Sequence, residues 1–383
     1  MRGVGLLLLL VSCQHIQSPA SEERFGLEDP YAAPGNWLKS NFHLHTTHSD
    51  GSYTGGEAAS LYASMGYGAL CLSDHNQYGD QDGGALRRFQ EDSLVYDWNG
   101  DAELHPDWIF GSGAEAYVRD WNAPPPRWSR DRWFRQDPGR SPLPLLIPGF
   151  EASYAYFGAH FVLVGYPPGP VQPPKPGFRF LDVLDEGPGF AIVAHPGLAN
   201  ARAAAFAAAV PLRRFHGIEI VNGHFMTTGE VPADATPLWD ALLSDGHRLW
   251  GIGSDDAHQA PTDSVSMPFN AFTMVRVRQH TAAGVLEALH AGACYASTGL
   301  LFAELGAEAG SVVASAPGAA SLRVVGRGGI VRLEVAGDSL RYVVRGDEGY
   351  VRIEALGPDA HSLVPRAWSQ PFFIQASGSR SGG

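Results

Sequence analysis

The stretch Leu249-Trp250-Gly251-Ile252-Gly253-Ser254-Asp255-Asp256-Ala257-His258 decides how this chain is read. A short apolar run, of the length of a buried strand, breaks through glycine and serine into a D-x-H pair. The same design recurs upstream. Ala69–Leu72 runs into Ser73-Asp74-His75, Leu145–Ile147 into Gly149-Phe150-Glu151, and Phe190–Ala194 into His195-Pro196. Phe161–Val164, preceded by His160, and Ile218–Val221 and Ala271–Val277 extend the series of apolar runs. Helical stretches fall between them: Gly56–Met65, Asn200–Val210, Ala233–Ser244 and Ala282–Ala291, stopped by Gly66, Pro211, Gly246 and Gly292. From about Trp37 to Gly299 this alternation predicts βα units. In α/β barrels the chemistry sits in loops at the carboxyl ends of the strands. Independent segments of this chain place metal-ligand residue types at that one rim.

The first such segment is His43-Leu44-His45, at the end of an extended stretch. Alternate residues of a strand share a face, so both imidazoles can reach one cation. Asp50 follows in a turn with Gly51. Glu151 ends a strand, where a carboxylate can bridge two cations. The candidate ligands are therefore His43, His45, Asp50, His75, Glu151, His160, His195, Asp256 and His258. Asp255 competes with Asp256 for its place, being adjacent to it.

Composition bounds the alternatives. At 383 residues with 44% hydrophobic and 17% charged residues, the chain is an ordinary globular protein with room for a large core. The formal charge of −13, with only Lys39 and Lys175 as lysines, argues against a nucleic-acid partner. Fifteen histidines are many for this length, and histidine is the side chain most often recruited to metals and proton transfer. Those outside the motifs, His105, His216, His247, His280, His290 and His361, read as surface or satisfied core residues. His48 and His224 read the same way, with contact to substrate or metal as the alternative, and Glu219 reads as structural.

The chain ends point to export. Met1-Arg2-Gly3 and an apolar run to Val11 form a secretion signal too short to span a bilayer. Leu10-Val11-Ser12-Cys13 resembles a lipobox, which predicts residues 1–13 as a lipoprotein signal peptide with lipidated Cys13, and 14–35 as a tether. The expected location is the periplasmic side of a bacterial membrane, with Gln14 favouring the outer membrane and the lipid anchor the sole membrane contact. Cys71 and Cys294 sit in apolar contexts and are read as buried thiols, not as a disulfide. Residues 77–144 break the βα rhythm and carry five of the nine tryptophans, so they read as an insertion over the rim. Its arginines from Arg127 to Arg140 are a solvated face or a phosphate contact. After Gly299 the pattern changes to alternating segments (Ser321–Val325, Ile330–Val335, Leu340–Arg345, Gly349–Ala355, Phe372–Gln375), which predict a small all-β domain over 301–376 and a flexible tail over 377–383.

Taken in order, Asn41-Phe42-His43-Leu44-His45-Thr46, Ser49-Asp50-Gly51, Ser73-Asp74-His75-Asn76, Gly149-Phe150-Glu151, His195-Pro196 and Asp256-Ala257-His258 resemble the polymerase and histidinol phosphatase (PHP) family of metal-dependent phosphoesterases. Gly158-Ala159-His160, Tyr295-Ala296-Ser297-Thr298-Gly299 and Trp368-Ser369-Gln370-Pro371 resemble the branch that includes the carbaryl hydrolases. The resemblance covers residues 36–300 well and the tail loosely. It implies an α/β fold, a distorted seven-stranded βα barrel, with two or three divalent metals whose identity (zinc, manganese or iron) is not legible. One metal would take His43, His45, Glu151 and Asp256, a second Glu151, His160 and His195, and a third Asp50, His75 and His258. Glu151, Asp256 and His195 would also carry the catalysis, and Asp74 would orient a ligand. Asn41 stands where many relatives have aspartate. The function implied is hydrolysis of phosphate mono- or diesters on a small, phosphorylated substrate. A carboxyl ester or carbamate hydrolase using the same metals is the first alternative, and a non-catalytic binding lipoprotein the second.

Overall fold

The computed structural model describes residues 25–46, 49–53, 55–75, 144–147, 149–156, 159–165, 189–199, 203–228, 232–258, 269–358 and 365–376. The expected signal peptide with Cys13, His48, nearly all of the 77–144 insertion with its arginines, and the 377–383 tail lie outside these residues.

The strands run in chain order β1 (Phe25–Glu28), β2 (Asn36–Asn41), β3 (Tyr67–Cys71), β4 (Leu145–Ile147), β5 (Gly149–Tyr156), β6 (Ala159–Val164), β7 (Phe190–Ala194), β8 (Gly217–Asn222), β9 (Trp250–Ser254), β10 (Phe272–Val277) and β11 (Cys294–Ser297). The C-terminal part adds β12 (Glu304–Glu308), β13 (Ser311–Ser315), β14 (Ser321–Gly326), β15 (Ile330–Ala336), β16 (Ser339–Val343), β17 (Tyr350–Leu356), β18 (Arg366–Ser369) and β19 (Phe372–Ala376). The helices are α1 (Gly55–Ser64), α2 (Ala203–Ala209), α3 (Gly223–Thr228), α4 (Thr236–Ser244) and α5 (Ala282–His290). Local chemistry sets the ends of α5. The Thr281 side chain accepts from the Gly284 N–H at its start, and Gly292 with φ 69° turns the chain after it.

Strands β7 and β8 are buried along their whole length, as continuous apolar runs between covered faces should be. They belong to a five-stranded sheet ordered β5-β6-β7-β8-β9, in which β7-β8 and β8-β9 are parallel. The parallel set β2-β3-β4 belongs to a second sheet of 11 strands, ordered β1-β19-β17-β18-β11-β10-β2-β3-β4 with β14 and β15 attached through β17. A third sheet, β12-β13-β16, has three strands.

The expected closed barrel of seven strands is not found among the described residues. The ladder of the smaller sheet and that of β2-β3-β4 do not join. Single parallel bridges, Leu44↔Ala257 and His75↔Glu151, connect them instead. Each is secured by a few backbone bonds, His45 N–H to the Ala257 carbonyl at 3.0 Å and Glu151 N–H to the Asp74 carbonyl at 3.1 Å. The bridges lie where the candidate ligands sit.

The C-terminal strands divide between two sheets. β12, β13 and β16 form the third sheet, whereas β18 pairs antiparallel with β11 and carries the large sheet across residue 300. An unpaired β11 edge would expose backbone donors and acceptors, and β18 satisfies them. Gln370 adds a second weld: its amide accepts from Gly251 N–H and donates to the Gly251 carbonyl, both at 2.7 Å. A buried ion pair between Arg352 of β17 and Asp240 of α4 is a third. One core contains Leu70 and Tyr62 together with Leu322, Val324 and Ile353. Part of the expected tether is likewise structured, since Phe25–Glu28 pairs with β19 and Tyr31 is buried. Cys71 and Cys294 are buried free thiols.

Candidate metal centre

Most candidate ligands stand just after strands, but Glu151, expected to end a strand, is the third residue of β5. His43 and His45 follow β2, His75 follows β3, Glu151 lies in β5 and His160 in β6, His195 follows β7, and Asp256 and His258 follow β9. Asp50 reaches the cluster through a tight turn in which Gly51 N–H donates to the Thr46 carbonyl at 2.9 Å. A Cβ on Gly51 would meet the His45 carbonyl oxygen at 2.3 Å, so this turn admits no side chain there.

All nine residues converge. His43 Nε2 lies 3.1 Å from His45 Nε2, 3.3 Å from Glu151 Oε2 and 3.2 Å from Asp256 Oδ1. His45 Nε2 lies 3.2 Å from both of those carboxylate oxygens. The other oxygen of Glu151 faces His160 Nδ1 at 2.8 Å and His195 Nε2 at 3.0 Å. His75 Nδ1 approaches Glu151 Oε2 at 2.9 Å. Asp50 stands 3.5 Å from each of His45, His75 and His258. Donor atoms within 4.8 Å of one another form four groups: His45, Asp50, His75 and His258; His43, His195 and Asp256; His43, His45 and Glu151; His75, Glu151 and His160. Glu151 thus sits at the junction of two groups, and His195 groups with His43 and Asp256 while also touching Glu151.

The adjacent aspartates separate. Asp256 turns into the cluster on a left-handed backbone, φ 52°. Asp255 turns away and accepts from Asn41 Nδ2 and the Tyr62 hydroxyl, both at 2.8 Å, and from Ala271 N–H at 3.0 Å. Burial holds the Asp255 carboxyl above its ordinary pKa. Burial also acts on Asp256, but His43 and His45 outweigh it and hold that carboxylate well below. Asn41 therefore serves Asp255 and, through its carbonyl oxygen, accepts from His43 N–H at 3.1 Å.

The same balance runs through the cluster. Burial pushes His43 down, yet Asp256, Glu219 and Glu151 together hold its imidazolium well above the ordinary value. His75 is treated alike: burial lowers it, Asp50 and Glu151 raise it, and it ends at about 10. Glu151 is held well below the carboxylate range against its own burial, chiefly by His43, His160 and His195. This site is built to be neutralised by positive charge.

Whether that charge suits a metal ion is tested by the donors themselves. Glu151 Oε2, Asp256 Oδ1 and His195 Nδ1 are buried without a hydrogen-bond partner among the described residues. Zinc with imidazole and carboxylate ligands at about 2.0–2.2 Å in a tetrahedron spaces its donors by roughly 3.3–3.5 Å. The five donor spacings around His43 and His45 fall at 3.1–3.3 Å. The residues present fit a cation.

Three supporting residues complete the site. Asp74 accepts from the Thr46 N–H and hydroxyl at 2.7 Å and from the Ser49 hydroxyl at 2.8 Å, and Ser49 in turn lies 3.3 Å from His45 Nδ1. Glu219 and Asn222 of β8, absent from the sequence-based ligand set, reach the cluster as well. Glu219 Oε1 lies 2.7 Å from His43 Nδ1, and Asn222 Nδ2 lies 3.1 Å from Asp256 Oδ2. Their only signal in the sequence is a polar residue inside an otherwise apolar strand. His224 stacks no closer than 5.2 Å between ring centres from His258.

No family model matches the chain, and no curated protein matches it. Among solved structures, a two-domain protein from Bacteroides vulgatus containing a predicted PHP-like metal-dependent phosphoesterase is similar at 15% identity, over 94% of this chain and 93% of that one, with a TM-score of 0.44. A predicted metal-dependent phosphoesterase from Bifidobacterium adolescentis is similar at 13% identity, over 59% of this chain and 92% of that one, with a TM-score of 0.30. Both likenesses are distant. The chemistry of the site follows from its own residues.

Proposed function

We propose that the protein is a metal-dependent hydrolase, and that its substrates are phosphate mono- or diesters. The observation that carries this reading is the set of buried carboxylate oxygens without a hydrogen bond, Glu151 Oε2 and Asp256 Oδ1, facing His43 Nε2 and His45 Nε2 at 3.2–3.3 Å. Those four residues would hold one cation. His160 and His195 would serve a second with Glu151, and Asp50, His75 and His258 a third. Divalent cations held by these residues would supply Lewis-acid chemistry and a water of lowered pKa.

The chain's own residues supply the rest. Glu151, with both oxygens turned toward histidines, keeps neighbouring positions in register. The buried carboxylates of Glu151 and Asp256 would balance part of the positive charge of cations held there. Asp50, His160 and His258 are the more exposed ligands, at 51%, 25% and 20% of their side-chain surface, and substrate would enter from the side they face. The preference for phosphoesters rests on the ordered resemblance in the sequence.

Metal quantification on gently purified protein, coupled to a panel of phosphomonoesters, phosphodiesters, carboxyl esters and carbamates, tests the reading. At least one equivalent of metal and phosphoester turnover abolished in His43→Ala and Glu151→Ala is the expected result. Turnover of carbamates or carboxyl esters alone would overturn the substrate class. Less than one equivalent of metal, with no turnover, would leave a binding protein.

A further inference from the structure

Strand β8 carries two polar residues, Glu219 and Asn222, that are 1% and 2% exposed. Three residues apart on a regular strand, they would point to opposite faces. The β8–β9 register shifts between them: Glu219 pairs with Ile252 and Val221 with Gly253, so that two steps on β8 match one on β9. This bulge turns Asn222 back to the face of Glu219, the kind of re-aiming for which bulges recur beside functional sites.

Together the two side chains touch every member of one donor group. Glu219 Oε1 lies 2.7 Å from His43 Nδ1, and since a carboxylate only accepts, Nδ1 carries the proton and Nε2 is turned to the cluster. Glu219 Oε2 accepts from the His195 N–H at 2.7 Å, at a residue whose φ of 25° is a strained backbone setting. Asn222 Nδ2 donates at 3.1 Å both to Glu219 Oε2 and to Asp256 Oδ2. One Asp256 oxygen is thereby occupied, and Oδ1 is the atom left for a cation. His43, His195 and Asp256, from three separate segments, are one of the groups able to hold a metal ion.

We infer that Glu219 and Asn222 are positioning residues that preorganise His43, His195 and Asp256 for a divalent cation, Glu219 by fixing the His43 tautomer and the His195 backbone and Asn222 by selecting which Asp256 oxygen is offered. This rests on the metal-site reading above. Glutamine is an informative replacement at position 219. Its single acceptor oxygen can serve either His43 or His195, and its amide hydrogens then face another donor.

The test uses the full chain, stripped with a chelator and titrated with Mn2+ alone, with free Mn2+ followed by electron paramagnetic resonance. Glu219→Gln is expected to weaken Mn2+ binding about 10–100-fold, the range for groups that orient metal ligands. Its metal-free thermal midpoint and circular dichroism should stay close to wild type. Asn222→Ala, which leaves the Glu219 bonds to His43 and His195 in place, is expected to weaken binding less, and it carries the test if Glu219→Gln does not fold. Wild-type affinity and stoichiometry in the folded variants would overturn the inference, and a lowered metal-free midpoint with unchanged affinity would reduce the pair to scaffold. Wild-type protein that takes up no Mn2+ would instead overturn the metal-site reading itself.

Discussion

The molecule buries charge in two places and treats it in opposite ways. Between α4 and β17, Arg352 is only 1% exposed, yet its guanidinium is fully engaged. Nε donates to Asp240 Oδ1 at 2.9 Å, Nη2 to Asp240 Oδ2 at 2.6 Å and Nη1 to Glu354 Oε1 at 2.6 Å, while the Tyr350 hydroxyl donates to Asp240 at 2.7 Å. At the rim, Glu151 and Asp256 are as deeply buried, but each keeps an oxygen that makes no hydrogen bond among the described residues and only faces histidine nitrogens. An unsatisfied buried polar atom costs about 1–3 kcal/mol. His195 and Asp256 also occupy left-handed backbone settings, each worth roughly 1–3 kcal/mol of strain. A complete network clasps two parts of the fold; an incomplete one, held in strained residues, has the composition of a site that a cation completes. Burial of charge alone does not distinguish the two. Partnership does.

The largest expected effect falls on the complete network. Arg352→Met leaves the buried Asp240 and the partly buried Glu354 without their cation and should cost about 3–5 kcal/mol, read by denaturant unfolding of the metal-free chain. Mn2+ binding by the folded variant should be unaltered. A parallel loss of metal affinity would show that the two networks are coupled and would break the contrast drawn here.

A smaller effect, of opposite pH sense to ordinary carboxylate titration, belongs to the rim. His75 is held up to about 10 in the metal-free cluster, so its contribution to stability is full below the unfolded value near 6.5 and is lost as pH rises toward 10. Thermal melts of metal-free protein should decline over that interval, and metal-loaded protein should not. Since a cation must displace this proton, titration with metal in weak buffer at neutral pH should release protons. Uptake without release would contradict the cluster's charge balance.

The smallest effect concerns a half-buried histidine outside both networks. His216 is pushed down to about 4 by burial and by neighbouring His290, and its Nδ1 accepts from Ala191 N–H at 3.0 Å. The unfolded chain takes up a proton near pH 6.5 that the folded one refuses, so stability is lost as pH falls from there toward 4. His216→Gln, which keeps an acceptor for Ala191, should flatten that part of the difference between pH 7 and pH 5 melts. An unchanged acid profile would remove His216 from the account.

Much of this was legible in the chain because strand ends declare themselves. The runs ending at Leu72, Ala194 and Ile252 carry β3, β7 and β9, and polar residues standing after buried strands can reach one rim. The helices over Thr236–Ser244 and Ala282–His290 were readable from glycine stops. Glu219 and Asn222 were not. Their shared face depends on a bulge set by pairing with β9, and pairing is a property of two strands. The continuity of the C-terminal strands with β11 was hidden for the same reason, as was the strand at Phe25–Glu28, whose only partner lies near the other end of the chain.

By itself, then, the sequence determined which residue types stand at the ends of which strands, because hydrophobic periodicity and turn residues act over short distances. Tertiary structure alone decided the rest. It left the ladder open at the rim, chose Asp256 over Asp255 for the cluster, and joined the C-terminal strands to the core. Those outcomes turn on which groups remain unpaired once everything nearby has packed, and that sum is taken over segments hundreds of residues apart.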